Sequence, residues 1–105
     1  MTKEHILTKL KQVKPKLAKD GFLIVGLFGS VARDEQDEFS DIDIAYRIDY
    51  DKFSKKFKDG FSKILKIEET KEELEKLLKN RVDLISLNSN NSHFLNIVGS
   101  EIIDV

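Results

Sequence analysis

Gly29-Ser30 closes an apolar run from Phe22 to Phe28, and after ten intervening residues Asp41-Ile42-Asp43 opens a second apolar run. Alternate residues of a strand point to one face, so Asp41 and Asp43 share a side. Two neighbouring carboxylates repel, and a hard divalent cation between them is the simplest relief. The glycine permits close backbone approach to phosphate oxygens, and Ser30 adds a hydroxyl and an amide. A third acid, Asp83, stands near the start of another apolar run, Val82 to Leu87. Three acids at strand starts, brought together by a sheet, form the carboxylate set for two magnesium ions, and the Gly-Ser corner would hold what those ions bind. Such a set suits chemistry on a nucleoside triphosphate, where cations neutralise charge on the attacking and leaving oxygens.

Each piece also has a plainer reading. Ser30 fits the cap of a short helix opened by Val31-Ala32-Arg33, Asp41 and Asp43 can face solvent or bond a turn, and Asp83 can bond a loop. The combination, not any single member, points to a site.

The elements that must position these residues follow from hydrophobic spacing. Ile6, Leu7, Leu10, Val13 and Leu17 recur every three or four residues, which predicts a helix over Lys3 to Lys19 with a kink or break near Val13 imposed by Pro15. Asp20-Gly21 ends it. Phe22 to Phe28 is short, branched and aromatic, and reads as a strand buried on both faces. Asp34 to Ser40 is an acidic loop, and Asp41 to Arg47 is a second strand with Asp41, Asp43 and Ala45 on one side and Ile42, Ile44 and Tyr46 on the other.

From Asp51 to Lys66 the residues Phe53, Phe57, Phe61, Ile64 and Leu65 form a helical stripe expected to pack on the core, interrupted at Gly60. The lysines between them, Lys52 to Lys66, read as a solvated face, with a phosphate or an acidic partner as the alternative. Glu68 to Lys79 continues that helix or forms another. Val82 to Leu87 is a third strand, Ser92 to Val98 a short helix ended by Gly99, and Glu101 to Val105 a terminal strand. His5 and His93 lack metal-ligand spacing and read as surface or packing residues.

Composition narrows the function classes. The 105 residues make one domain, 1–105, and 40% hydrophobic with 35% charged residues is the balance of a globular chain. With 18 basic and 19 acidic residues the net charge is -1, so no direct nucleic-acid binding driven by overall charge is expected. The absence of cysteine removes disulfides, thiolate chemistry and the common zinc sites. The first residues lack the apolar stretch of a signal peptide and no run reaches membrane-spanning length, so the expected location is cytoplasmic, without membrane contact.

Gly29-Ser30, ten residues, Asp41-Ile42-Asp43 and then Asp83 in Val82-Asp83-Leu84 resembles the pattern of the DNA polymerase beta-like nucleotidyltransferases. More narrowly, Leu27 to Arg33 with Ser40-Asp41-Ile42-Asp43 resembles the minimal nucleotidyltransferase (MNT) family, which includes antitoxin partners of HEPN-domain toxins. The likeness runs over almost the whole chain. It implies an α/β (α+β) fold with a mixed central sheet and helices packed on it. It also implies that Gly29 and Ser30 hold the triphosphate of ATP, that Asp41 and Asp43 bind Mg2+, and that Asp83 completes the set, sharing a metal ion and helping deprotonate the attacking hydroxyl. Arg33 matches the motif and fits two roles, a phosphate contact or a pair with the acidic loop. Asp34 stands where family members often carry glycine, which alters the loop and leaves the acids in place.

The implied reaction is Mg2+-dependent transfer of AMP from ATP, with release of pyrophosphate. A chain this short has little surface for an acceptor pocket of its own, so a partner protein is expected to present the acceptor. The resemblance makes that partner a HEPN toxin, bound as a hetero-oligomer and silenced by modification of a tyrosine. The alternatives are a non-catalytic antitoxin that neutralises by binding alone, and an enzyme that nucleotidylates a small molecule.

Overall fold

The computed structural model describes residues 2–32, 41–88 and 102–105. The elements run α1 (Lys3–Ala18), β1 (Phe22–Phe28), α2 (Gly29–Ala32), β2 (Ile42–Ile48), α3 (Tyr50–Lys56), α4 (Gly60–Leu78), β3 (Val82–Ser86) and β4 (Ile103–Asp104). The sheet order is β3-β2-β1-β4. Strand β1 is antiparallel to both β2 and β4, whereas β2 and β3 are parallel, so the sheet is mixed as expected. Helix α4 makes the crossover that a parallel pair requires.

Ile42, Ile44, Tyr46 and Ile48 of β2 join Phe22, Ile24 and Leu27 of β1 in the main core. Ile6, Leu10 and Leu17 of α1 and Leu74 and Leu78 of α4 complete it. Strict alternation would put Leu27 on the opposite face from Phe22 and Ile24. A register shift between Ile24 and Gly26 sets Leu27 opposite Ile44 and Phe28 opposite Asp43. One extra residue in a strand reverses the parity of all that follow. The shift therefore brings Leu27 into the core and turns Phe28, next to the Gly-Ser corner, onto the face of the acids. Gly26, just past the shift, lies so close to the Ile103 carbonyl that a Cβ there would collide with β4.

Three expectations about α1, α3 and α4 change. Helix α1 is continuous through Pro15 instead of breaking near Val13. The missing N–H costs one bond close to the helix end, while Leu10 and Leu17, on either side, are both anchored in the core. The helical run after Asp51 breaks at Phe57 to Asp59, ahead of Gly60, because Asp59 caps α4 by accepting from the Ser62 N–H at 2.6 Å. That break changes the phase of the apolar stripe. Phe53 is buried and Phe57 packs on the core, but Phe61, Ile64 and Leu65 are 73%, 63% and 44% exposed. Their helix buries Thr70, Leu74 and Leu78 instead.

The terminal strand is shorter than Glu101 to Val105, and the Val105 N–H donates to the Val25 carbonyl at 3.0 Å. The helix expected over Ser92 to Val98 and His93 lie outside the described residues, while His5 is exposed as expected. Among the described residues no helix is long and apolar enough to cross a membrane.

Candidate active site

Strand β2 begins at Ile42, which leaves Asp41 just ahead of the strand and Asp43 as its second residue. Strand β3 runs parallel with Asp83 as its second residue, and the register pairs Ile42 with Val82 and Asp43 with Asp83. Partners in a sheet point to the same face, and neighbouring strands are about 4.8 Å apart. Asp43 and Asp83 thus stand side by side above the sheet, with Asp41 two residues back on the same side. Their apolar neighbours Ile42 and Val82 are buried on the opposite face, which holds the register.

The turn before β3 carries Asp83 to this place. Helix α4 is capped at its C-terminus by Lys79, a non-glycine residue with φ 52°, whose N–H donates to the Glu75 carbonyl. The Glu75 carboxylate then accepts from the Val82 N–H at 3.2 Å, and the Ile42 N–H donates to the Arg81 carbonyl at 2.9 Å. Side chain and backbone together clamp the first residues of β3 onto β2. At the far end Asn88 does the same, accepting from the Ile48 N–H at 2.7 Å and donating to its carbonyl at 3.3 Å.

Gly29 closes the site from β1. Its φ is +77°, in the left-handed region that favours glycine, and a Cβ at this position would run into the Asp43 carboxylate. The backbone of the Gly-Ser corner therefore lies directly against one of the acids. Helix α2 starts at Gly29, so Ser30 falls inside its first turn, past the cap position expected for it. On this same face of the sheet Ala45 and Leu87 form a small apolar cluster with Val25, Phe28 and Ile102. Arg33 lies outside the described residues.

One residue at the site was not marked in the sequence. Arg81 places its Nε 3.1 Å from Asp41 Oδ1. Continuing the β2–β3 register by one step sets position 81 opposite 41, so the segments Asp41-Ile42-Asp43 and Arg81-Val82-Asp83 lie alongside each other. The signal was a charged residue two places before Asp83 on the same parity, which reads as part of a turn until the parallel pairing is known.

The donor set suits a hard divalent cation: carboxylate oxygens on one face, two of them in register, with backbone close by. Among the described residues no group of three or more His, Cys, Asp or Glu side chains is gathered to hold a metal ion, and Asp41 is turned to Arg81. Asp43 and Asp83 are the in-register part of the set.

Comparison with known proteins agrees with this geometry. Residues 11–103 match the family model described as polymerase beta, nucleotidyltransferase. Two proteins of Methanocaldococcus jannaschii, both provisionally named protein adenylyltransferases, are 35% and 38% identical to this chain. The first aligns over 90% of this chain and 91% of its own length, the second over 79% and 80%. A solved structure provisionally named a minimal nucleotidyltransferase superposes with a TM-score of 0.75 at 28% identity, covering 100% of this chain and 97% of that one. A chain from a crystal structure of a toxin-antitoxin with AMP-PNP shares the fold, with a TM-score of 0.61 at 23% identity over 99% of this chain and 72% of its own. With its mixed sheet, its paired acids and its glycine corner, the chain belongs to the polymerase beta nucleotidyltransferase family.

Proposed function

We propose that the protein transfers AMP from ATP to a tyrosine hydroxyl of a partner HEPN-domain toxin and acts as its antitoxin, with Mg2+ held by Asp41, Asp43 and Asp83. The observation that carries the reading is the in-register pair Asp43 and Asp83, with the Gly29 backbone against Asp43. Protein adenylyltransferase is also the activity in the names of both relatives, and a toxin-antitoxin with an ATP analogue is among the structures of the same fold.

In this reaction the acceptor oxygen bonds to the α-phosphorus, the bond to the bridging oxygen breaks, and pyrophosphate leaves. Gly29 lets the backbone approach the phosphates, and Ser30 and Arg33 supply donors to them. Asp83, the more exposed of the paired acids, accepts the proton of the incoming hydroxyl. A phenol, with a pKa of about 10, gives up that proton more readily than an aliphatic hydroxyl, which favours tyrosine. Magnesium, when bound, withdraws charge from the phosphate oxygens and from the attacking hydroxyl.

The test is intact-mass analysis of a co-expressed HEPN partner after incubation with ATP and Mg2+. Wild type should add AMP-sized increments, and the Asp41→Asn, Asp43→Asn double variant should add none. Neutralisation that persists in the double variant without added mass would establish the binding-only antitoxin instead. Transfer to a small hydroxyl compound with an unmodified partner would move the acceptor to a small molecule.

A further inference from the structure

Arg81 belongs to none of the roles assigned so far, yet its guanidinium is the cation nearest Asp41 among the ion pairs of the described residues. We propose that Arg81 is a phosphate ligand held in reserve, the counter-ion of Asp41 in the metal-free protein and a ligand of the nucleotide triphosphate once a divalent cation takes Asp41. The proposal rests on the nucleotidyl-transfer reading above.

The contact has the properties of an exchangeable one. The Arg81 side chain is 74% exposed and that of Asp41 46%, so the pair is solvated and weak, easily surrendered to a doubly charged ion. The recorded contact is through Nε. Pairing through that edge leaves terminal N–H groups of the planar fork for a second anion. The backbone of Arg81 is fixed independently, since its carbonyl accepts from the Ile42 N–H, so the side chain can turn without disturbing the sheet.

Distance supplies the rest. Two oxygens bound to one magnesium ion, each at about 2.1 Å, lie no more than about 4.2 Å apart. A phosphate oxygen sharing an ion with Asp41 therefore comes within reach of a guanidinium already 3.1 Å from that carboxylate. The same residue thus answers two charge problems in turn. It offsets the Asp41 charge when no cation is there, and it offsets the triphosphate charge when one is.

The test uses Arg81→Gln and Arg81→Lys with two binding measurements. In an electron paramagnetic resonance titration of nucleotide-free protein with Mn2+, Arg81→Gln should tighten binding about threefold or more, because the competing cation is gone. In calorimetry with AMP-PNP at saturating Mg2+, the same variant should weaken nucleotide binding about tenfold, as for loss of one charge-assisted contact. Arg81→Lys, which keeps the charge without the fork, should fall between. A residue that only held β3 against β2 would lower stability and leave Mn2+ affinity unchanged. Unchanged Mn2+ affinity, or unchanged AMP-PNP affinity, in Arg81→Gln overturns the proposal. Failure of the underlying reading looks different: wild type would bind no Mn2+, or would bind it equally after Asp43→Asn and Asp83→Asn.

Discussion

Asp43 and Asp83, forty positions apart in the chain, are register partners on the parallel strands β2 and β3 and carry their carboxylates on the same face of the sheet. Like charges side by side on one face of a sheet destabilise it. Asp43→Asn and Asp83→Asn are each expected to reduce nucleotidyl transfer at least about a hundredfold, since each removes an anionic ligand with little change of shape. Asp83→Asn should not lower the thermal midpoint, because it also removes a repulsion. Kinetics together with thermal denaturation checks both halves, and a large loss of stability in Asp83→Asn would contradict the pairing.

Gly29 meets Asp43 from the other side. Gly29→Ala imposes a side chain at φ +77° and drives its Cβ into the Asp43 carboxylate. The left-handed conformation alone costs about 1–2 kcal/mol for a non-glycine residue, and displacement of Asp43 adds to it. Urea denaturation should show a loss of at least about 1 kcal/mol, accompanied by loss of transfer activity.

Helix α4 separates two apolar groups that look alike in sequence. Leu74 is buried against the sheet, and Leu74→Ala should destabilise by about 2–5 kcal/mol. Phe61 is 73% exposed, so Phe61→Ser should change stability by no more than about 0.5 kcal/mol despite the larger side chain removed. Urea midpoints of the two variants decide whether the helix is turned as described.

Acid should weaken the fold through Asp20 and Asp59. The Lys56 ammonium, 2.8 Å from Asp20 and joined by Lys66 at 3.6 Å, holds the Asp20 carboxyl below its ordinary pKa. The Ser62 N–H does the same for Asp59 at the start of α4. A carboxyl with a depressed folded pKa binds fewer protons folded than unfolded between the two values, so stability rises with pH there. Both contributions are complete above the unfolded value of about 3.9 and vanish as pH falls through the lower folded value. The urea midpoint should drop below about pH 4, and Asp20→Asn with Asp59→Asn should remove part of that drop.

Much of the candidate site was legible in the sequence because it rests on local chemistry. Gly29 and the acids Asp41, Asp43 and Asp83 are marked by residue type against short apolar runs, and period-two alternation already placed Asp41 with Asp43 opposite Ile42 and Ile44. The same residues carried the family resemblance, which implied the mixed sheet. Where one break resets a period, local spacing was a poor guide. Phe61, Ile64 and Leu65 continue the stripe of Phe53 and Phe57 on paper, yet the Asp59 cap starts a new helix that faces them outward. Pro15 likewise breaks a helix only if nothing holds both sides of it, and the core contacts of Leu10 and Leu17 do hold them.

The sequence by itself determined which residues are candidates for the chemistry, because a metal and a phosphate would select carboxylates and glycine by type. Tertiary structure alone decided which of them meet. The shift between Ile24 and Gly26 that turns Phe28 toward the acids, and the parallel register that sets Asp83 beside Asp43 and Arg81 against Asp41, depend on pairing between distant strands. Strand pairing is fixed by burial on the opposite face, and no local pattern within either strand contains it.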